Sequence, residues 1–188
     1  MKRTIAPFLL ALCLTAPAPA QEDMAAQRAA RRLGLPVEAV HTTPATWNGR
    51  AVVFADYLTG KEGEEERQLV MLSGSMNNAP VSVTVGEQEG GVPEVAAIGF
   101  ANADSDAAKE LIVILTWEIR HYDVSGTLYD VRILDDWKDG QNALVPVKAA
   151  EQLFERYDCD CGWRDGSSET AEVKTITAVK QVLKRAGY

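Results

Sequence analysis

The chain has 188 residues, 46% of them hydrophobic and 7% aromatic, and its formal net charge is −8. This length suits one domain with a substantial hydrophobic core. The excess of acidic side chains disfavours binding to nucleic acid or to anionic membrane surfaces, and it favours cations or a basic protein as partners.

The first twenty residues have the pattern of a secretory signal peptide. Basic residues at positions 2 and 3 precede an apolar run over 4–14, and Ala18-Pro19-Ala20 is a small-residue cleavage site. We therefore expect residues 1–20 to be removed and residues 21–188 to form a single exported domain, which is periplasmic or secreted. No later stretch reaches the length of about 18 apolar residues that a membrane span needs, so no span is expected.

The N-terminal half contains signals for one helix and several strands. A helix is predicted over 24–33, with Asp23 as its N-cap and Gly34 after its end. Asn48-Gly49 is typical of a type I′ turn, which predicts a hairpin between a strand ending at Trp47 and one beginning at Arg50. The charged run 61–67 is expected to be an exposed loop. Further strands are predicted over 68–72, 81–85 and 94–100.

The C-terminal half contains signals for a second hairpin and two helices. Strands are predicted over 111–122 and 127–134, joined at Ser125-Gly126. The first of these strands is apolar on both faces where it begins, which indicates a position inside the sheet. Pro146 is expected to begin a helix with the apolar stripe Val147, Ala150, Phe154 and Tyr157. Ser168 is expected to cap a last helix with the inward-facing residues Val173, Ile176, Val179 and Leu183.

These elements predict an α+β fold. We expect a single domain in which one antiparallel sheet of about six or seven strands is covered by the N-terminal and C-terminal helices. Neither an internal repeat nor an internal linker is visible in residues 21–188.

The segment 102–110 carries oxygen-bearing side chains at regular spacing. Calcium binds hard oxygen ligands that alternate along a loop, so this spacing predicts a calcium loop. Its candidate ligands are Asn102, Asp104, Asp106, the Ala108 carbonyl and Glu110. The alternative is a polar turn in which the acidic side chains accept hydrogen bonds from backbone N–H groups.

Residues 102–115 resemble a single calcium-loop repeat of the FG-GAP/VCBS type, in which D-x-[DN]-x-D-G-x-x-[DE] precedes an apolar strand. Asn102 replaces the usual aspartate, and Ala107 replaces the glycine of the sharp turn. The resemblance implies calcium as a cofactor of this loop. It covers one short segment in one copy, so it implies neither a β-propeller nor any family for the whole chain.

Two cysteines lie outside the predicted leader. Cys159 and Cys161 are separated by one residue, and in an oxidising compartment we expect them to form a disulfide. A redox-active pair, a metal site and two free thiols are the alternatives.

Four aromatic residues lie on or just after the second predicted hairpin: Trp117, Tyr122, Tyr129 and Trp137. Aromatic side chains often anchor protein interfaces, so these four are candidate interface residues. The alternative is that they belong to the core, as alternating aromatic residues on strands usually do.

An enzyme is not indicated by any motif. The two histidines, His41 and His121, have no recognisable triad around them, and no pair of carboxylates stands out by its spacing. We expect an exported binding domain, such as an inhibitor or immunity-type protein that acts on a basic envelope protein. A calcium-stabilised structural domain of the envelope is the alternative, and a hydrolase with a carboxylate-based site is a third hypothesis.

Overall fold

The computed structural model describes residues 19–74 and 78–188, so residues 1–18 of the predicted leader lie outside the described residues. The helices are α1 (Pro19–Leu33), α2 (Lys148–Glu151) and α3 (Ile176–Ala186), and a short 3-10 helix covers Val37–Ala39. The strands are β1 (His41–Trp47), β2 (Arg50–Thr59), β3 (Glu66–Ser73), β4 (Val81–Gly86), β5 (Pro93–Ala101), β6 (Glu110–Arg120), β7 (Val124–Leu134), β8 (Asp158–Trp163) and β9 (Ser168–Glu169). Within these ranges, no helix combines the length and the apolar character that crossing a membrane requires.

The strands form two antiparallel sheets rather than one. The first has the order β1-β2-β3-β4 and the second the order β5-β6-β7-β8-β9. The α+β class is confirmed, but the prediction of a single sheet with six or seven strands is wrong. Alternation along a strand shows which faces are buried, but it does not show whether a sheet or a helix covers each face.

The largest core cluster lies between the two sheets. Trp47, Phe54 and Met71 contribute from the first sheet, and alternate residues of β6 contribute from the second: Leu111, Val113, Leu115, Trp117 and Ile119. Complete burial of an aliphatic side chain of this size contributes about 1.5–3 kcal/mol to stability. The side chains on this face of β6 therefore contribute much of the hydrophobic stabilisation between the two sheets.

Helices cover the outer face of each sheet. Ile112 and Ile114 point away from the inter-sheet core, and they pack with Val179 and Leu183 of α3. Ala29 and Ala30 of α1 pack against the outer face of the first sheet. The result is four layers in the order α1, first sheet, second sheet, α3. The prediction that β6 lies inside a sheet and is buried on both faces is confirmed.

The elements predicted before residue 101 are found with small shifts. Asn48 and Gly49 have φ values of 45° and 77°, as a type I′ turn requires, and they join β1 to β2. The helix α1 begins at Pro19, so Asp23 lies inside it rather than at its N-cap. The charged loop is shorter than predicted, because β3 already begins at Glu66.

The second hairpin turns three residues earlier than predicted. His121–Asp123 forms the connection, and the His121 N–H donates to the Val124 carbonyl at 2.8 Å. Ser125 and Gly126 are instead paired residues of β7, opposite Arg120 and Ile119. Gly126 is needed for a different reason, because a Cβ there would collide with the carbonyl oxygen of Asp160 on β8.

The last two helices are shorter than predicted. The helix after Pro146 ends at Glu151, and Tyr157 has a φ of 61° and packs in the inter-sheet core, outside the predicted stripe. Ser168 belongs to β9, and Thr175 caps α3 by accepting a hydrogen bond from the Ala178 N–H at 3.2 Å. The predicted end of α3 is confirmed, since Gly187 has a φ of 101° there.

Candidate cation site

Three carboxylates meet at one end of the second sheet. The β5–β6 loop provides Asp104, Glu110 begins β6, and Asp135 directly follows β7. One carboxylate oxygen from each lies within 4.8 Å of the other two. We call these three residues the carboxylate triad.

Strand pairing explains why Asp135 belongs to this triad. Leu111 of β6 pairs with Leu134 of β7. Glu110 is one residue before the first of this pair, and Asp135 is one residue after the second. In an antiparallel ladder these two positions are opposite each other, and neighbouring side chains there are close.

Glu110 is completely buried, with 0% of its surface exposed. Its Oε2 accepts a hydrogen bond from the Ala103 N–H. Its Oε1 is also buried and has no hydrogen-bond partner in the described part of the chain. Burial, and then the negative charges of Asp104 and Asp106, raise the pKa of Glu110 to about 7. No basic side chain among the described residues forms an ion pair with Glu110, so its ionised form would lack a counter-charge.

The other predicted ligands hold the loop together through hydrogen bonds. Asp104 Oδ1 accepts from the Asp106 N–H at 2.8 Å, and Asp106 Oδ1 accepts from the Ala108 N–H at 2.7 Å. Asn102 Nδ2 donates to the Asp106 carbonyl at 3.2 Å. The predicted polar turn is therefore present, and its hydrogen bonds hold Asp104 close to Glu110 and Asp135. Whether a metal binds there stays a prediction.

A lysine lies at the edge of the triad. Lys138 Nζ is 3.7 Å from Asp135 Oδ2 and 3.6 Å from Asp136 Oδ1. The charges of Asp135 and Asp136 raise the pKa of Lys138. The pKa of Asp136 is also raised, mainly by burial. Asp136 Oδ1 has no hydrogen-bond partner among the described residues. Lys138 is 61% exposed, so it can move away when another cation binds.

Two residues of the first hairpin fix the position of the loop. Trp47 Nε1 and Asn48 Nδ2 both donate to the Lys109 carbonyl, at 2.5 and 3.0 Å, and Asn48 Oδ1 accepts from the Lys109 N–H at 3.0 Å. Trp47 is itself buried and stacks on Phe100 of β5. The residue just before Glu110 is thus anchored to the first sheet, which holds the triad in place.

Sequence reasoning identified Asp104 and Glu110 as candidate ligands and missed Asp135. Asp135 could be found only from the correct register of the β6–β7 hairpin, which decides which residue lies opposite Glu110. A two-residue turn at Ser125-Gly126 would place Gln141 opposite Glu110, whereas the observed turn places Asp135 there.

The structure places Cys159 and Cys161 side by side on β8, with Cα atoms 5.3 Å apart, a separation that a disulfide allows. Both residues are buried in the inter-sheet core. They share a face because they are two positions apart on a strand.

The four candidate interface residues do not share one surface. Trp117 is buried between the sheets and donates to the Glu87 carbonyl at 2.7 Å. Trp137 packs against the same core, and Tyr129 packs on the opposite face of the second sheet. Tyr122 is 80% exposed at the β6–β7 turn, where the guanidinium of Arg164 lies 4.2 Å from its ring centroid.

No protein-family model, curated protein or solved structure matches this chain.

Proposed function

We propose that this chain is an exported binding domain whose carboxylate triad holds one calcium ion, and that the ion stabilises the fold. Export rests on the leader pattern in residues 1–20. Calcium binding rests on Asp104, Glu110 and Asp135.

One observation carries the proposal. Glu110 Oε1 is buried without a hydrogen-bond partner among the described residues, and one oxygen of the Glu110 carboxylate lies within 4.8 Å of an oxygen from each of the other two carboxylates. Three negative groups held this close repel one another and lose hydration, which costs folding free energy. A divalent cation removes both costs, because it balances the charge and takes the place of the missing hydrogen-bond partner.

The chemistry of the site favours calcium. The triad offers oxygen atoms alone, which suits a hard cation, whereas zinc prefers nitrogen and sulfur. Calcium takes its ligands at 2.3–2.6 Å, so two ligands of one ion can be up to about 5 Å apart. The separation of the triad oxygens fits within that limit. The resemblance of residues 102–115 to a calcium-loop repeat is a separate argument for the same ion.

The ion would join three segments of the chain. Asp104 lies in a loop, Glu110 at the start of β6 and Asp135 after the end of β7. Binding to the folded state alone stabilises a protein by RT ln(1 + [L]/Kd), which is about 1.4 kcal/mol at ten times the dissociation constant. The effect of calcium should therefore appear directly in the stability of the domain.

The inhibitor hypothesis stays a prediction. The acidic charge of the chain is compatible with a basic partner. Of the four aromatic residues considered for the interface, Tyr122 is the one that is largely exposed. The hydrolase hypothesis likewise stays without a supporting observation.

The test is thermal unfolding of residues 21–188 in EDTA, in calcium and in magnesium. We expect millimolar calcium to raise the melting temperature by about 3–5 °C over EDTA, on the usual scale for a domain of this size. Magnesium should do much less, because it requires a more regular octahedral shell and retains its water. Identical melting curves in EDTA and in 10 mM calcium would contradict the proposal.

A further inference from the structure

A groove with a volume of about 520 Å³ lies beside the loop that carries Asp104, at the side of the domain. It is lined by Thr46, Asn48, Ile98, Gly99, Phe100, Lys109, Ile176 and Lys180. This volume is within the range of about 300–1,000 Å³ that small-molecule sites have.

The groove runs along the free edge of β5. Neighbouring residues of a strand face opposite sides of the sheet. Ile98 and Phe100 accordingly pack towards the inter-sheet core, while Gly99 lies so close to Ile176 of α3 that a Cβ would collide with it. A groove that touches all three residues must pass along the strand edge. β5 is the outermost strand of its sheet, so no strand in the described part of the chain pairs with this edge.

The side chains that line this groove are opposite in charge to the chain as a whole. The chain has a net charge of −8, yet the groove is lined by two lysines and by no acidic side chain. Neither Lys109 nor Lys180 forms an ion pair within the described residues. Two ammonium groups without carboxylates are thus available to an anion.

The two lysines project from well-fixed backbone. Both the N–H and the carbonyl of Lys109 are hydrogen-bonded to the side chain of Asn48. Lys180 is one helical turn after Ile176 on α3, so both side chains lie on the same face of that helix. A site whose backbone is already ordered loses less entropy on binding.

We propose that this groove binds an amphipathic carboxylate, with the carboxylate between Lys109 and Lys180 and the hydrocarbon part on Ile98, Phe100 and Ile176. The half-buried apolar side chains provide a surface for the hydrocarbon, which the hydrophobic effect favours. The ammonium groups provide charge-assisted hydrogen bonds to the carboxylate.

Decanoate is a suitable probe, titrated below its micelle concentration by isothermal calorimetry in buffer with EDTA. EDTA keeps the measurement independent of the carboxylate triad. We expect saturable binding of decanoate to the wild-type domain. Methyl decanoate, which has the same chain without the charge, and acetate, which has the charge without the chain, should each bind at least tenfold more weakly.

The decisive variant is the double substitution Lys109→Gln and Lys180→Gln. It should weaken decanoate binding at least tenfold and leave the circular dichroism spectrum unchanged, because both side chains are exposed. Lys184→Gln is the matched control, since Lys184 is an exposed lysine one turn further along α3 and does not line the groove. Equal affinity of the wild type and the folded double variant, or no binding at millimolar decanoate, would overturn the proposal.

Discussion

Glu110 and Asp135 flank the Leu111–Leu134 pair at the end of the β6–β7 ladder, and one carboxylate oxygen of Glu110 lies within 4.8 Å of one of Asp135. A pair of acids in this position is unfavourable unless a proton or a cation lies between them. A bound proton and a bound cation have different effects on the stability of the domain, and these effects can be measured separately.

Glu110→Gln should stabilise the domain in the absence of calcium and remove its response to calcium. Gln keeps the size of the side chain and removes the buried charge, so at pH 8 in EDTA we expect the melting temperature to rise by about 3–6 °C. The same substitution should remove the response to calcium, because an amide is a poorer ligand than a carboxylate. Differential scanning calorimetry measures both effects.

Glu94→Gln is the control for that experiment, because Glu94 is an exposed glutamate on β5 outside the triad. It should melt like the wild type in EDTA and respond fully to calcium. A Glu110→Gln variant that still responds to calcium would exclude Glu110 as a ligand.

Substitutions at Asp135 and Lys138 should change calcium affinity in opposite directions. Asp135→Asn removes one negative ligand, and we expect a loss of at least tenfold, which corresponds to about 1.4 kcal/mol. Lys138→Gln removes a competing positive charge, so the affinity should increase several-fold. Asp139→Asn is the matched control, because Asp139 is exposed and pairs with Arg50. Titration with terbium, a calcium substitute, checks all three variants; an unchanged affinity in Asp135→Asn would contradict the triad.

Stability without calcium should fall as the pH rises. The folded-state pKa of Glu110 is about 7, above the ordinary value of 4.5, so the folded protein holds this proton at a pH where the unfolded chain releases it. The resulting stabilisation is complete below pH 4.5 and is lost as the pH rises through about 7. The loss is on the order of 3 kcal/mol at most.

Urea unfolding at pH 5 and pH 8 in EDTA measures this loss. The difference between wild type and Glu110→Gln isolates the contribution of Glu110 from that of other titrating groups, such as Asp136. Calcium should reduce the loss of wild-type stability between pH 5 and pH 8, because it binds the ionised form of Glu110. Parallel pH profiles for the two proteins would show that Glu110 does not titrate in this range.

The proximity of Cys159 and Cys161 leads us to expect a disulfide that is protected from reductants. Both side chains are about 95% buried between the sheets, so a disulfide there should resist reduction in the folded state and react once the protein is denatured. Thiol titration of the non-reduced protein in guanidinium should find no free thiol. Two reactive thiols in that sample would indicate that the cysteines are unpaired.

Local signals predicted the parts of the fold that depend on neighbouring residues. Asn48-Gly49 defines its turn because both residues tolerate a positive φ, and the alternation along β6 showed that both faces of this strand are buried. The number of sheets depends on contacts between distant segments, such as the packing of Phe54 against residues of β6. No local pattern contains that information.

The candidate site was predicted in part for the same reason. Asp104 and Glu110 belong to one loop with recognisable spacing, whereas Asp135 arrives through the register of a hairpin. Gly126 suggested a turn, although its actual role is to allow β8 to come close. Placing the turn at Gly126 gave a wrong register for β6 and β7, and in that register Asp135 is not opposite Glu110.

The hydrogen bond from Trp47 Nε1 to the Lys109 carbonyl has a further consequence for measurement. Indole protons give separate signals in nuclear magnetic resonance spectra, and a hydrogen-bonded, buried proton exchanges with deuterium when the structure around it opens. The exchange rate of the Trp47 indole proton therefore reports how often the segment before Glu110 detaches from the first sheet. Slower exchange in calcium would give the free energy by which the ion keeps that segment closed.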